Sequence, residues 1–164
     1  MWLTIALAIG ASSPEMTNAR MDTVLRKVAD KVERRGNVWQ LEIESYTLLV
    51  ITDEKADRMR VMSMIGPAEK LDRTLLQRMM QANFDSALDA RYAIANEKLW
   101  SVFIHPLRSL RDRDLISGVA QTINCVTTFG ASFSSGALVF GGGDSQKLEA
   151  ERLQRLLRRG EVEL

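Results

Sequence analysis

Few residues in this chain are able to do covalent chemistry. There is one histidine, His105, and one cysteine, Cys125. A cysteine attacks only as its thiolate, which needs an adjacent base or positive charge. His105 falls at the end of a strand-like run and Cys125 beside Ile123 and Val126 in a helix-like run. The expectation is therefore an inert, buried thiol and a satisfied strand-end imidazole, not a dyad. Gly130-Ala131-Ser132-Phe133-Ser134 approaches a nucleophile elbow, but it lacks the second glycine and follows a helix where that motif follows a strand. Neither Lys-Ser nor Lys-Thr follows Gly141 to Gly143, so no phosphate loop is present. A lone His and a lone Cys support neither a metal site nor an intrachain disulfide. The sequence thus predicts no enzyme, no metal and no cofactor.

Charge is equally sparing. Lys and Arg number 22 against 21 Asp and Glu, a net charge of +1, so no polyanionic partner such as nucleic acid is expected. Arg108, Arg111 and Arg113 alternate with Asp112 and Asp114 and read as a solvated helix start. Lys147, Arg152, Arg155, Arg158 and Arg159 make the C-terminal segment locally basic. Its apolar side, Leu148, Leu153, Leu156 and Leu157, carries no Trp or Phe, so membrane contact stays open beside docking on a partner.

The remaining residues spell out elements. A chain of 164 residues is expected to form one domain. Met21, Val24, Leu25, Val28 and Val32 follow a helical stripe ending near Arg35, with Gly36 as its cap. Trp39, Leu41 and Ile43 then alternate with Gln40 and Glu42, a strand. Glu44-Ser45 turns into Tyr46 to Thr52, and a charged turn leads to Arg58 to Ile65. Here Met59, Val61 and Ile65 share one face, and Arg58, Arg60, Met62 and Met64 the other. A helix over about Leu71 to Asn83, strands at Arg91 to Ala95 and Lys98 to Pro106, and a helix from Asp112 or Asp114 to Phe129 complete the pattern.

This order, α-β-β-β-α-β-β-α, predicts an α+β fold with an antiparallel sheet packed by helices, over residues 20–130. Residues 131–144 read as a Gly/Ser-rich linker with a GALVF segment, and 145–160 as an amphipathic helix. At the other end, Trp2 to Ala11 is an apolar run followed by small residues. It predicts a signal peptide over 1–13 and a periplasmic or secreted mature chain, the alternative being a cytoplasmic one. Residues 14–20 read as a linker.

What remains positive is surplus apolar surface. Leu49 and Ile51, Met62 and Met64, and Trp100, Val102 and Ile104 supply more than one sheet face requires, and monomers rarely leave a large apolar patch in water. Either the C-terminal helix or the GALVF segment covers this second face, or it receives a partner.

The element order over Met21 to Phe129 resembles that of the type III secretion chaperones, the Tir chaperone-like fold, and of the related YbjN-like family. Leu75-Leu76-Gln77-Arg78-Met79-Met80-Gln81-Ala82-Asn83-Phe84 is similar to that family's second helix with its Asn-aromatic end. Leu99 to Leu107 resembles its last strand, and Leu110-Arg111-Asp112-Arg113-Asp114-Leu115 the start of its last helix. The resemblance implies a homodimer, with Leu75, Leu76, Met79 and Met80 at the interface. It also implies a protein partner held as an extended segment, and no enzyme activity. Secretion chaperones are usually acidic and cytosolic, whereas this chain is near neutral with an export-like start. A structural or regulatory component of a bacterial envelope assembly, docked by its C-terminal helix, is the alternative.

Overall fold

Thr17 sets the start of the first helix. The computed structural model describes residues 14–85, 87–129 and 144–162. In it the Thr17 side chain accepts from the Arg20 N–H at 3.2 Å, and α1 runs over Asn18–Val28. Met16 and Met21 stand at the N′ and N4 positions of a hydrophobic staple, and both are buried. Residues 14–20, linker-like by composition, are therefore partly cap and partly core.

α1 stops at Val28, well before the end its periodicity predicts. Lys31–Arg35 is instead an edge strand, β1, paired antiparallel with β2, Val38–Ile43. Val32 is the cause of the difference. It falls on the helical stripe, yet it is equally the inward residue of the strand, packed against the core. One apolar residue cannot distinguish a period of 3.6 from a period of two. Gly36 is thus the hairpin turn and not a helix cap, with φ of 62°, where L residues are strained. The Arg34 guanidinium lies 4.6 Å over the Trp39 ring across this hairpin.

The chain continues through β3 (Tyr46–Asp53), β4 (Arg58–Pro67), a short 3-10 turn, α2 (Arg73–Asp85), β5 (Arg91–Ala95), β6 (Lys98–His105), α3 (Asp112–Thr128) and α4 (Asp144–Gly160). The strands form one antiparallel sheet of six, in the order β1-β2-β3-β4-β6-β5. The fold is α+β, an antiparallel sheet packed by helices, with β1 as a strand beyond those the pattern predicts. Glu44 and Ser45, with φ of 48° and 71°, and Asn96 and Glu97, with 49° and 59°, make the tight turns expected between β2 and β3 and between β5 and β6. Positive φ at both positions matches the right-handed twist of the paired strands.

One face of the sheet meets the helices. Trp39, Leu41, Ile43, Leu48, Val50, Met59, Val61, Leu99 and Phe103 all point to it and are buried. α3 lies on β4 and β6, and it approaches closely because Gly118 has no side chain. A Cβ there would meet the Phe103 ring at 2.5 Å. α4 rests on α1 and α3: a Cβ on Gly160 would lie 2.7 Å from Ile116 and 3.3 Å from Val28. Leu156 and Leu157 are buried there. The basic residues of α4 fasten it to the body. Arg152 donates to Glu44 at 3.0 Å and to Asn124 at 2.7 Å, and Arg155 donates to Glu44 at 2.9 Å. The Arg155 hydrogen bond, with help from Arg152, holds the Glu44 carboxyl below its usual range. The last turns of the C-terminal helix's apolar side are therefore packed on its own chain, while Leu148 stays exposed, and the helix does not cover the second sheet face. The predicted signal-peptide segment, the GALVF segment and nearly all of the predicted linker lie outside the described residues.

Candidate functional site

The residues whose apolar surplus stood out are brought together. Strand register aligns Leu49 with Met62 and Met62 with Val102, Ile51 with Arg60 and Arg60 with Ile104, and Met64 with Trp100. Leu49, Ile51, Met62, Met64, Trp100, Val102 and Ile104 thus lie in three rows on the sheet face opposite α1, α3 and α4. Met64 is 50% and Ile104 57% exposed, and the others are half-buried among their neighbours. Among the described residues no helix packs over the centre of this face. Alternation alone had already placed Arg58 and Arg60 on it. Register adds that Arg60 stands between two isoleucines, which periodicity does not show.

The face changes character across the sheet. On β1 and β2 the outward residues are Lys31, Glu33, Arg35, Gln40 and Glu42, with Val38 the one apolar member, beside Ile51. Lys31 pairs with Glu33 at 2.9 Å and with Glu42 at 3.7 Å. From β3 to β6 the outward side is apolar, apart from arginines and polar residues at the rim.

The second candidate set divides. On α2, Met79 is fully buried, Leu75 and Leu76 are half-buried against the core, and Met80 is 55% exposed. Met79 belongs to the chain's own core, so Met80 alone of the four is freely presented. Phe84, one turn further on the same helix, is 71% exposed. Asn83 beside it has a structural task that its sequence neighbours do not reveal. Its amide accepts from Tyr92 N–H at 2.8 Å and donates to Tyr92 C=O at 3.1 Å. It thereby satisfies backbone groups on the outer edge of β5, and an unpaired strand edge is otherwise a template for pairing with other chains. Asp72 caps the helix, accepting from Leu75 N–H at 2.7 Å.

His105 and Cys125 occupy different surroundings. His105 stacks on Phe103 and its Nδ1 lies 2.7 Å from the Pro106 carbonyl. Cys125 is buried with its thiol 3.9 Å from the Ala90 carbonyl, and burial pushes that thiol up to about 11. At neutral pH such a thiol carries very little thiolate. Arg111 is held by Asp114 at 2.8 Å, and Asp112 by Arg20 at 2.7 Å, so the α3 start is an ion-paired cap. Among the described residues no group of three or more His, Cys, Asp and Glu is placed to hold a metal, and no helix is long and apolar enough to cross a membrane.

No protein-family model matches the sequence, and no curated protein matches it. Solved structures do. One is the Yersinia pestis type III secretion chaperone SycH in complex with a stable fragment of YscM2. It shares 10% identity at a TM-score of 0.51, over 67% of this chain and 95% of that one. The chain has the fold of the type III secretion chaperones. The HopA1–SchA chaperone–effector complex also matches, at 12% identity and a TM-score of 0.48, over 66% of this chain and 95% of that one. At these identities the likeness concerns the fold. About a third of the chain lies outside the chaperone-like match.

Proposed function

We propose that this chain is a non-enzymatic protein-binding module that holds an extended segment of a partner protein on the outer face of its sheet. The observation that carries this reading is the gathering of Leu49, Ile51, Met62, Met64, Trp100, Val102 and Ile104 on one face that no helix among the described residues covers. Met side chains are unbranched and polarizable, so such a face repacks around varied partner side chains. The chaperone-like fold, seen in a chaperone in complex with a fragment of a protein partner, supports the same reading. The test is capture from the native cell by parent protein and by a variant with two outer-face methionines replaced, followed by mass spectrometry. The envelope-component alternative loses the free C-terminal helix that motivated it, because α4 packs on α1 and α3.

The module acts as a homodimer paired through α2. Met80 and Phe84, exposed on one ridge of that helix, support this, and Met79 does not take part. Met80→Glu is expected to give a folded monomer by light scattering at micromolar concentration. A Met80→Glu protein that keeps the parent's dimeric mass would place the interface elsewhere, and a monomeric parent would remove the dimer.

The mature chain is exported. The apolar run Trp2 to Ala11 and the small residues after it support this. Cleavage is expected between Gly10 and Met16. An intact mass from the native host that still includes Trp2 would contradict it.

A further inference from the structure

The outer face carries one feature that a purely apolar groove does not need. Arg60 stands on the central strand of its apolar patch, in the row next to the rim, exposed, with Ile51 on one side and Ile104 on the other. Two arginines near it have acceptors: Arg34 donates to the Gly36 carbonyl, and Arg58 to the Asp57 carbonyl. Among the described residues Arg60 has neither an ion pair nor a side-chain hydrogen bond. The sole outward carboxylate on β3, β4, β5 and β6 is that of Asp53, at the rim. One of its oxygens caps its own turn, accepting from Lys55 N–H at 3.0 Å and Ala56 N–H at 2.9 Å. Beside Arg60 lies an open cavity of about 340 Å³, lined among others by Asn37, Ile51, Asp53 and Arg58. The contrast with β1 and β2, where Lys31 is paired twice on the same face, is direct.

We infer that the partner segment carries a carboxylate, from Asp or Glu, that seats on Arg60 while its apolar neighbours cover Met62, Val102 and Ile104. This rests on the binding role proposed for the face and adds the chemistry of what binds. A guanidinium flanked by apolar side chains offers a planar fork to a carboxylate, and burial by the partner's apolar residues strengthens the resulting charge-assisted hydrogen bonds. The same fork repels a basic segment, so the arginine selects among apolar sequences that methionines alone would accept alike. Arg60 to Met64 spans about 13 Å of strand, the length of about four extended residues. A segment with an acidic residue at one end of a short apolar run therefore fits.

The experiment is selection of a random peptide library displayed on phage against the full chain, with the enriched peptides then measured on variants. Enriched sequences are expected to join apolar residues to an Asp or Glu. Their affinity should fall on the order of tenfold or more for Arg60→Glu. It should hold for Arg158→Glu, which makes the same net-charge change on exposed α4. Peptides without an acid, equal binding to Arg60→Glu, or an equal loss with Arg158→Glu would each overturn the inference. So would a consensus matching this chain's own sequence, or self-association abolished by Arg60→Glu, since the face would then belong to the chain itself or to a second copy. Acidic peptides lost on replacing Met62 and Met64 but not on Arg60→Glu would leave the face standing and remove the carboxylate. Peptides that bind regardless of both changes, or no enrichment at all, would remove the face as well.

Discussion

Val61→Asp is expected to leave no cooperatively folded protein. Val61 is fully buried, paired with Val50 on β3 and Phe103 on β6, on the side where α3 packs. A carboxylate there has no partner, and the effective cost of burying an unpaired ion is several kcal/mol. Total stability of a domain is about 5–15 kcal/mol, so one such change consumes most of it. Far-UV circular dichroism with thermal melting checks this. A sharp transition close to the parent's would mean that the inner and outer faces have been exchanged. Met79→Glu should behave in the same way, since Met79 is core and not interface.

The neighbouring pair should give the opposite result. Met62→Asp combined with Met64→Asp is expected to abolish partner capture while the melting temperature stays within a few degrees of the parent's. Met62 follows Val61 directly but faces the other side, and Met64 is half-exposed. An aspartate at either place remains hydrated, so the free protein loses little. The complex loses much more. Each methionine fully covered by a partner contributes about 1.5–3 kcal/mol, so the pair accounts for roughly a hundredfold or more in affinity. A carboxylate pressed against apolar partner residues adds a desolvation penalty. Unfolding of this variant would show both methionines to be covered by the chain itself. Undiminished capture by a folded variant would move the partner off this face.

The contrast between adjacent positions shows what the sequence made legible. Period-two alternation groups residues by face plainly in β2 and β4, whereas β3 and β6 are apolar on both sides, so which face meets the helices needed the packing. The turns at Glu44-Ser45 and Asn96-Glu97 were equally readable, since their lengths leave little choice of connection. β1 was not readable: it is an edge strand whose outward residues are Lys31, Glu33 and Arg35, and its one apolar inward residue, Val32, also fits a helix. What makes it a strand is pairing with β2, which is tertiary information. The docking of α4 was hidden for a similar reason. Its arginines look like a solvated or membrane-seeking face until Glu44 and Asn124, distant in sequence, meet Arg152. On α2, spacing showed apolar residues on more than one edge, yet only packing shows that Met79 faces inward and Met80 outward. The place of Arg60 between two isoleucines needed the register of three strands at once.

The partner is expected on the outer sheet face, and methionine methyl groups report on it directly. Met59 and Met79 are buried on the inner side, Met62 and Met64 face outward, and Met80 marks α2. With carbon-13 methyl labels, addition of the captured partner segment should shift and broaden the Met62 and Met64 resonances while those of Met59 and Met79 hold. Unmoved Met62 and Met64 signals beside a saturated partner would contradict the account.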